Sequence, residues 1–320
     1  MKKIVIYSLA FICPYLLNGQ QMEQFSMYME NNYLINPAEA GTTDYVDIKL
    51  GYRNQWTNLD GAPNTYFFSA HSPLKKKRND VSEVTPLPYH GVGVAVIGDQ
   101  IGPFNRSNLK LSYSYQRPLS QKLTVSAGVH AGFQQYAFNS DLIKNVRSRS
   151  ELFTSDATDN TIVPDLSIGF WGHTHNFYFG FASFQLIPAK LDINVSSDGN
   201  DGRLSAHHWF TTGVRIPLDK KEHFNFVPST AIRKVSGAPI SADINAKLHY
   251  QDHAWLGLSL RPKDALVTII GLTFIKKIDV AYSYDWTFKN SRRLSNNTHE
   301  ILLGFRLPNH PHDPAPPPFW

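Results

Sequence analysis

Four groupings in this chain have residue types and spacing that chemistry could use. Thirteen histidines suggest metal binding, and three pairs stand close together: His173 with His175, His207 with His208, and His310 with His312. On a strand, residues i and i+2 share a face, so His173 and His175 can point at one ion. A zinc site needs further ligands and supporting groups. No cysteine or acidic cluster accompanies any pair, so neither a metal nor a cofactor is expected. Serine and histidine could act as nucleophile and base, but no short run resembles a nucleophile elbow, so no catalytic residue is assigned and an enzyme is not expected. Gly91-x-Gly93 lies in an alternating stretch and reads as packing space, not as a phosphate loop. Last, the run Lys75-Lys76-Lys77-Arg78 can rest in solvent near anionic headgroups or dock an acidic periplasmic partner.

The elements that must position these groups are strands. Val280, Tyr282, Tyr284, Trp286 and Phe288 alternate with Asp279, Ala281, Ser283, Asp285 and Thr287. Leu109, Leu111, Tyr113 and Tyr115 alternate with Lys110, Ser112, Ser114 and Gln116, and residues 123–134 repeat the pattern. Side chains on a strand alternate faces, so each strand has one apolar face and one polar or small one. The segments run to about ten residues, which when tilted cover the apolar band of an outer-membrane barrel, ~25 Å tall. Aromatics near segment ends (Trp56, Tyr89, Tyr136, Trp171, Phe184 and Trp209) are expected to form an interface girdle. In this phase Lys110, Asp279 and Asp285 face the lumen, where charges are expected to pair with one another.

About fourteen such segments can be counted, and bacterial single-chain barrels have even strand numbers. They lie at 46–56, 62–71, 90–99, 107–117, 122–135, 163–172, 175–184, 206–216, 222–233, 239–250, 253–261, 265–275, 278–288 and 298–307. The fold class is therefore all-β: a transmembrane antiparallel outer-membrane barrel. If the first strand rises from the periplasm, the even-numbered connections are short turns and the long polar ones, 139–162, 186–205 and 289–297, fall outside. The connection 72–88 breaks this rule: it is long, basic and on the periplasmic side.

Composition agrees. Of the 320 residues, 42% are hydrophobic, 13% aromatic and only 18% charged, against the usual ~25% charged. Residues 1–19 read as a cleavable signal peptide, with Lys2 and Lys3 ahead of an apolar run too short to span a bilayer. Cys13, the one cysteine, lies in that leader. The formal charge of +5 falls by the two leader lysines to +3, too mild a basicity for a nucleic-acid partner. Residues 20–44 form a polar, aromatic-dotted N-terminal segment, 45–307 the barrel, and 308–320 an extended Pro-rich tail.

The N-terminal segment and first hairpin carry a resemblance. Phe25-Ser26, Asn36-Pro37-Ala38, Ala40-Gly41, Arg53-Asn54-Gln55-Trp56, Asp60-Gly61-Ala62-Pro63 and Ser69-Ala70-His71-Ser72-Pro73 follow in order. Weaker echoes are Gln116-Arg117-Pro118-Leu119-Ser120 and Asn297-Thr298-His299-Glu300-Ile301. Together these resemble the PorP/SprF family of type IX secretion in Bacteroidota. Glu39, at a position often aromatic in that family, and the Pro-rich tail depart from its pattern. The resemblance implies a barrel in the Gram-negative outer membrane, linked to protein secretion, gliding motility and adhesin anchoring. Implied partners are a secreted adhesin with a C-terminal secretion domain, an OmpA-like peptidoglycan-binding periplasmic protein or other type IX components, and outer-membrane lipid. A passive channel for small or hydrophobic solutes is the alternative. Residues 24–44 are expected to fold against the periplasmic mouth or enter the lumen, with Asn36-Pro37 setting the turn. Arg53, Asn54, Gln55 and Asp60 are expected to stabilise the first hairpin and its tip.

Overall fold

The computed structural model describes residues 23–57, 59–74, 87–138, 159–189, 204–236, 238–251, 253–262, 264–288 and 297–308. The leader, the run Lys75 to Arg78 and the Pro-rich tail with His310 and His312 lie outside the described residues. Fourteen antiparallel strands follow one another round a ring. They are β1 (Tyr45–Asn54), β2 (Asn64–Leu74), β3 (Tyr89–Ile101), β4 (Phe104–Pro118), β5 (Thr124–Phe138), β6 (Asp159–His173) and β7 (Phe177–Phe184). The ring continues with β8 (His207–Val214, resuming at Ile216–Pro217), β9 (Phe224–Val235), β10 (Ser241–Tyr250), β11 (Ala254–Arg261), β12 (Ala265–Phe274), β13 (Ile278–Thr287) and β14 (Thr298–Pro308). The break in β8, at Arg215, lies next to the place where Val214 faces Pro228 of β9, whose nitrogen has no hydrogen to donate.

The ring closes where β1 pairs with β14, from Tyr45 opposite Pro308 to Asn54 opposite His299. Closure removes the edge strands that would otherwise expose unpaired backbone groups to lipid. Among the described residues no helix is long and apolar enough to cross a membrane. The long connection on the even side is real: β2 ends at Leu74 and β3 begins at Tyr89.

Two expectations need correction. β4, β5 and β6 each run to fifteen residues; β4 and β6 are several residues longer than the segments 107–117 and 163–172, and β5, read as 122–135, lies at 124–138. Their outer ends turn polar on the outward face as well, as where Gln135 Nε2 donates to Asn160 Oδ1 at 3.0 Å. Polar residues on both faces erase the period that marks a strand. The girdle assignment also fails in part. Trp171, Phe184 and Trp209 are buried inside the ring, and Trp171 stacks on Tyr178 with ring centroids 5.0 Å apart. Position near a strand end says nothing about which face a ring takes; parity does. Tyr66, Tyr113 and Trp286 are among the aromatics that face outward instead.

Alternation otherwise sorts the faces as read. Leu109, Leu111, Tyr113 and Tyr115 are exposed on the outer surface, while Lys110, Ser112, Ser114 and Gln116 are buried inward. The interior is not simply polar, however. Met27, Tyr33, Leu34 and Ile35 pack in one apolar cluster with Trp209, Trp255, Val267, Ile269 and Leu302 from the wall. The lumen thus holds a packed core, supplied from the centre by the N-terminal segment.

Candidate functional site: the lumen and its N-terminal segment

Residues 23–44 form three short turns rather than a strand or a long helix: 3₁₀ turns at Tyr28–Glu30 and Pro37–Glu39, and one α turn, α1, at Asn32–Ile35. Asparagines and a proline set their ends. Asn36 Oδ1 accepts from Ala38 N at 3.0 Å, with Pro37 at the first helical position, where its fixed φ and missing N–H cost nothing. Gly41 ends the run with φ of +74°, and a Cβ there would stand 2.7 Å from Gly91 Cα. Only glycine suits both the backbone and the space.

At the inner end, nearest the termini of the barrel, the segment sits in a neutral seat. Asn36 Nδ2 donates to the carbonyls of Phe170 (2.9 Å) and Phe181 (3.3 Å), bridging β6 and β7. The Ala38 carbonyl accepts from Gln116 Nε2 (3.0 Å) and Ser126 Oγ (2.7 Å), and the Ala40 carbonyl from Gln116 Nε2 (2.9 Å) and Ser114 Oγ (2.6 Å). Gly41 N donates to His71 Nδ1 at 3.2 Å, and His71 Nε2 stands between the carboxyls of Glu39 (3.4 Å) and Asp47 (3.7 Å). The wall is recessed to admit this chain. A Cβ on Gly91 would lie 2.2 Å from the Ala40 oxygen, one on Gly128 2.5 Å from the Pro37 oxygen, and one on Gly169 2.1 Å from Asn36 Oδ1. Burial pushes the Glu39 carboxyl up to about 8, against the opposing pull of Lys49.

Halfway up, the Tyr33 hydroxyl bonds to Ser112 Oγ, which in turn contacts His130 Nδ1 at 2.6 Å. The Tyr33 ring lies between His71 and His130, with centroids 4.8 and 5.4 Å away. Asn31 Nδ2 donates to Ser69 Oγ at 2.8 Å and Asn245 Nδ2 to the Tyr28 hydroxyl at 2.6 Å, while Lys247 pairs with Glu30 at 2.7 Å.

The outer end is held by charge. Ser26 Oγ donates to the Asp285 carboxylate at 2.7 Å and accepts from Arg53 Nη1. Ser26 N donates to Glu300 Oε2 at 2.7 Å. Arg53 bridges Asp285 and Glu300, each at 3.1 Å. All four residues are buried, and they tie the segment to β1, β13 and β14 at the closing seam. The luminal charges Lys110 and Asp279 also pair as expected, Lys110 with Asp165 at 3.3 Å and Asp279 with Arg306 at 2.5 Å.

The residues singled out by sequence divide into two groups. Phe25, Asn36, Pro37, Gly41 and Arg53 meet inside the lumen; Phe25 packs edge-on against Phe67 with centroids 5.1 Å apart. The others shape the outer hairpin tip. Asn54 Nδ2 donates to Asn64 Oδ1 at 2.8 Å and Gln55 N to the Pro63 carbonyl at 2.9 Å. Trp56, with φ of +61°, donates its N–H to Thr298 Oγ1 at 3.4 Å, and the Gly61 carbonyl accepts from Gly102 N at 2.9 Å. Asp60 is exposed at the tip, and Arg53 leaves the hairpin for the lumen, because its odd position shares the inward face with Asp47 and Gly51. Lys75, Lys76, Lys77 and Arg78 lie outside the described residues.

Sequence reading did not assign His71, Gln116 or Glu300 to a site, yet each lies within a stretch of the resemblance and each grips the segment. The signal was available: motif stretches far apart in sequence, each with one polar residue on the inward phase. Among the described residues no three of His, Cys, Asp or Glu gather as they would around a metal ion.

A closed ring of fourteen strands, apolar outside and filled within, defines an outer-membrane β-barrel. Solved barrels share its fold. The CymD monoaromatic hydrocarbon channel matches with a TM-score of 0.51 at 10% identity, over 88% of this chain and 93% of that one. The Ralstonia pickettii toluene transporter TbuX matches with a TM-score of 0.51 at 10% identity, over 87% and 93%. At that identity the likeness extends to the fold alone. No curated protein matches the chain in sequence. The family model for the type IX secretion system membrane protein PorP/SprF matches residues 17–305, and the chain belongs to that family.

Proposed function

We propose that this barrel anchors or supports surface display of a secreted adhesin, engaged through the adhesin's C-terminal secretion domain, and links it to the periplasmic secretion machinery. The periplasmic contact would be an OmpA-like peptidoglycan-binding protein or another type IX component, met at the inner rim and the basic run Lys75 to Arg78. Residues 1–19 would be removed on export. Family membership supplies the secretion setting. The observation that carries the reading beyond it is the filled lumen: residues 25–29 and 31–41 are buried within the ring. A channel for small polar solutes needs a continuous wet path and one for hydrophobic solutes an open apolar one, whereas a tether needs a rigid frame with surfaces at both rims. No bond of a substrate is made or broken in this role.

Two measurements test it. Purified protein in a planar bilayer should be silent, and pull-down from native outer membrane should retain a secreted adhesin with its C-terminal domain. A large, steady conductance with no bound adhesin would replace the tether by a channel. Deleting residues 24–44 should open the barrel and impair display; unchanged display from a silent, inserted barrel would remove the segment from the mechanism.

A further inference from the structure

The segment in the lumen has a direction, and it runs against what its place in the chain suggests. β1 starts at Tyr45 on the inner rim, beside Pro308 at the end of β14. Read backwards from there, the chain climbs. Gly41 bonds His71 near the inner end of β2, and Tyr33 reaches Ser112 at mid-height of β4. Ser26 stands among Arg53, Asp285 and Glu300, close to the outer ends of β1, β13 and β14. Glu23 then pairs with Arg106 at 3.2 Å, just past the outer turn that joins β3 to β4. Residue 23 has therefore passed most of the way from the inner rim to the outer mouth.

A segment buried over residues 25–29 and 31–41 is poorly suited to being pushed up through a finished ring. It would have to shed water from its polar backbone before reaching any of the carbonyl and side-chain partners that replace that water. The outer clamp suggests the other order. Ser26 and Arg53 come from the start of the chain, Asp285 and Glu300 from its last two strands, 259 and 274 residues away from Ser26. The clamp lies across the β1–β14 seam, where the ring shuts. Asp285 and Glu300 are carboxylates on neighbouring strands that share one guanidinium from the far side of that seam.

We propose that the ring closes around the N-terminal segment, with Ser26 and Arg53 as the latch that receives β13 and β14, and that Glu23 is thereby left at the outer mouth, on the exterior side. The inference goes beyond tethering and holds whichever client the barrel serves.

Orientation is tested on the full chain in its native membrane, with an epitope placed between residues 22 and 23. Antibody should bind it on intact cells as it binds an epitope in the 139–158 connection. Binding only after permeabilisation, as for an epitope after residue 308, would overturn the proposal, and so would binding in neither condition. The latch is tested by pulse-chase, following the band of folded barrel whose gel mobility changes on heating. Ser26→Ala removes a hydroxyl and leaves the charges in place. It should slow closure several-fold with the final yield preserved, and Ser26→Thr should restore the rate. Closure of Ser26→Ala at the unaltered rate would show that Ser26 is no latch. The epitope result is independent of the conductance and pull-down results, so either proposal can fail without the other.

Discussion

The two ends of the luminal segment are held by opposite kinds of chemistry. Around Asn36 to Gly41 the contacts are neutral and mostly to backbone carbonyls, spread over β2, β4, β5, β6 and β7. Around Ser26 they converge on one guanidinium and two carboxylates at the seam. Neutral hydrogen bonds each contribute ~0.5–1.5 kcal/mol net, so the inner seat is strong only in sum. A buried ion cluster has a small net value when complete but is costly when broken, because the remaining charge keeps its desolvation penalty. The inner seat should therefore degrade gradually under mutation and the outer clamp abruptly.

The sharpest way to break that contrast is Arg53→Ala. It leaves Asp285 and Glu300 buried together without their shared cation, and breaking such a pair costs ~3–5 kcal/mol. Urea unfolding in detergent, followed by tryptophan fluorescence, should show a loss of that size. A loss under ~1 kcal/mol would mean that Arg261, 3.8 Å from Asp285, already suffices.

At the inner seat, Gly91→Ala should cost ~1–3 kcal/mol, since the new Cβ meets the Ala40 oxygen at 2.2 Å and overpacking forces the backbone to shift. The same variant should raise single-channel conductance, because it displaces part of the buried segment that fills the lumen. Asn36→Ala comes next, at ~1–2 kcal/mol: it uncaps the Pro37 turn and frees two wall carbonyls that water can reach once the turn loosens. If Asn36→Ala proved as damaging as Arg53→Ala, the seat would be as cooperative as the clamp.

How far the sequence discloses this arrangement follows from what leaves a period. The strands are legible because lipid on one face and packed polar groups on the other force an alternation of two; their number and order could be read from it. The polar outer ends of β4 and β6 carry no such contrast and lie outside the segments that alternation marks. Trp171 and Trp209 could be placed near strand ends but not on a face. The luminal segment has no period, so its entry into the ring rested on Asn36-Pro37 and Ala40-Gly41 as turn signals and on the family pattern. Its partners were harder still. Gly128 and Gly169 show in a sequence only as small residues, and Gln116 as one more polar inward position. What makes them a seat is the chain lying against them, which is a fact of three dimensions.

The smallest effects sharpen the contrast further. Burial holds the Glu39 proton up to about 8, so the folded state keeps a proton that the unfolded chain releases near its ordinary 4.5. Stability from this group is fully present below that ordinary value and is lost as pH rises toward about 8, by roughly 1 kcal/mol per pH unit. Glu39→Gln should flatten the dependence between those limits in urea titrations at several pH values. An unchanged slope would place the titration elsewhere, in the Asp47–His71 pair that faces Glu39 from β1 and β2. Asp60→Ala, at the exposed hairpin tip outside both regions, should shift stability by no more than ~0.5 kcal/mol. Under the proposed tethering role its effect would fall on the outer surface, where Asp60→Ala should lower adhesin retention in pull-down. Unchanged retention would leave the tip as a brace whose backbone bonds to Gly102 and Asn297 hold the outer mouth in shape.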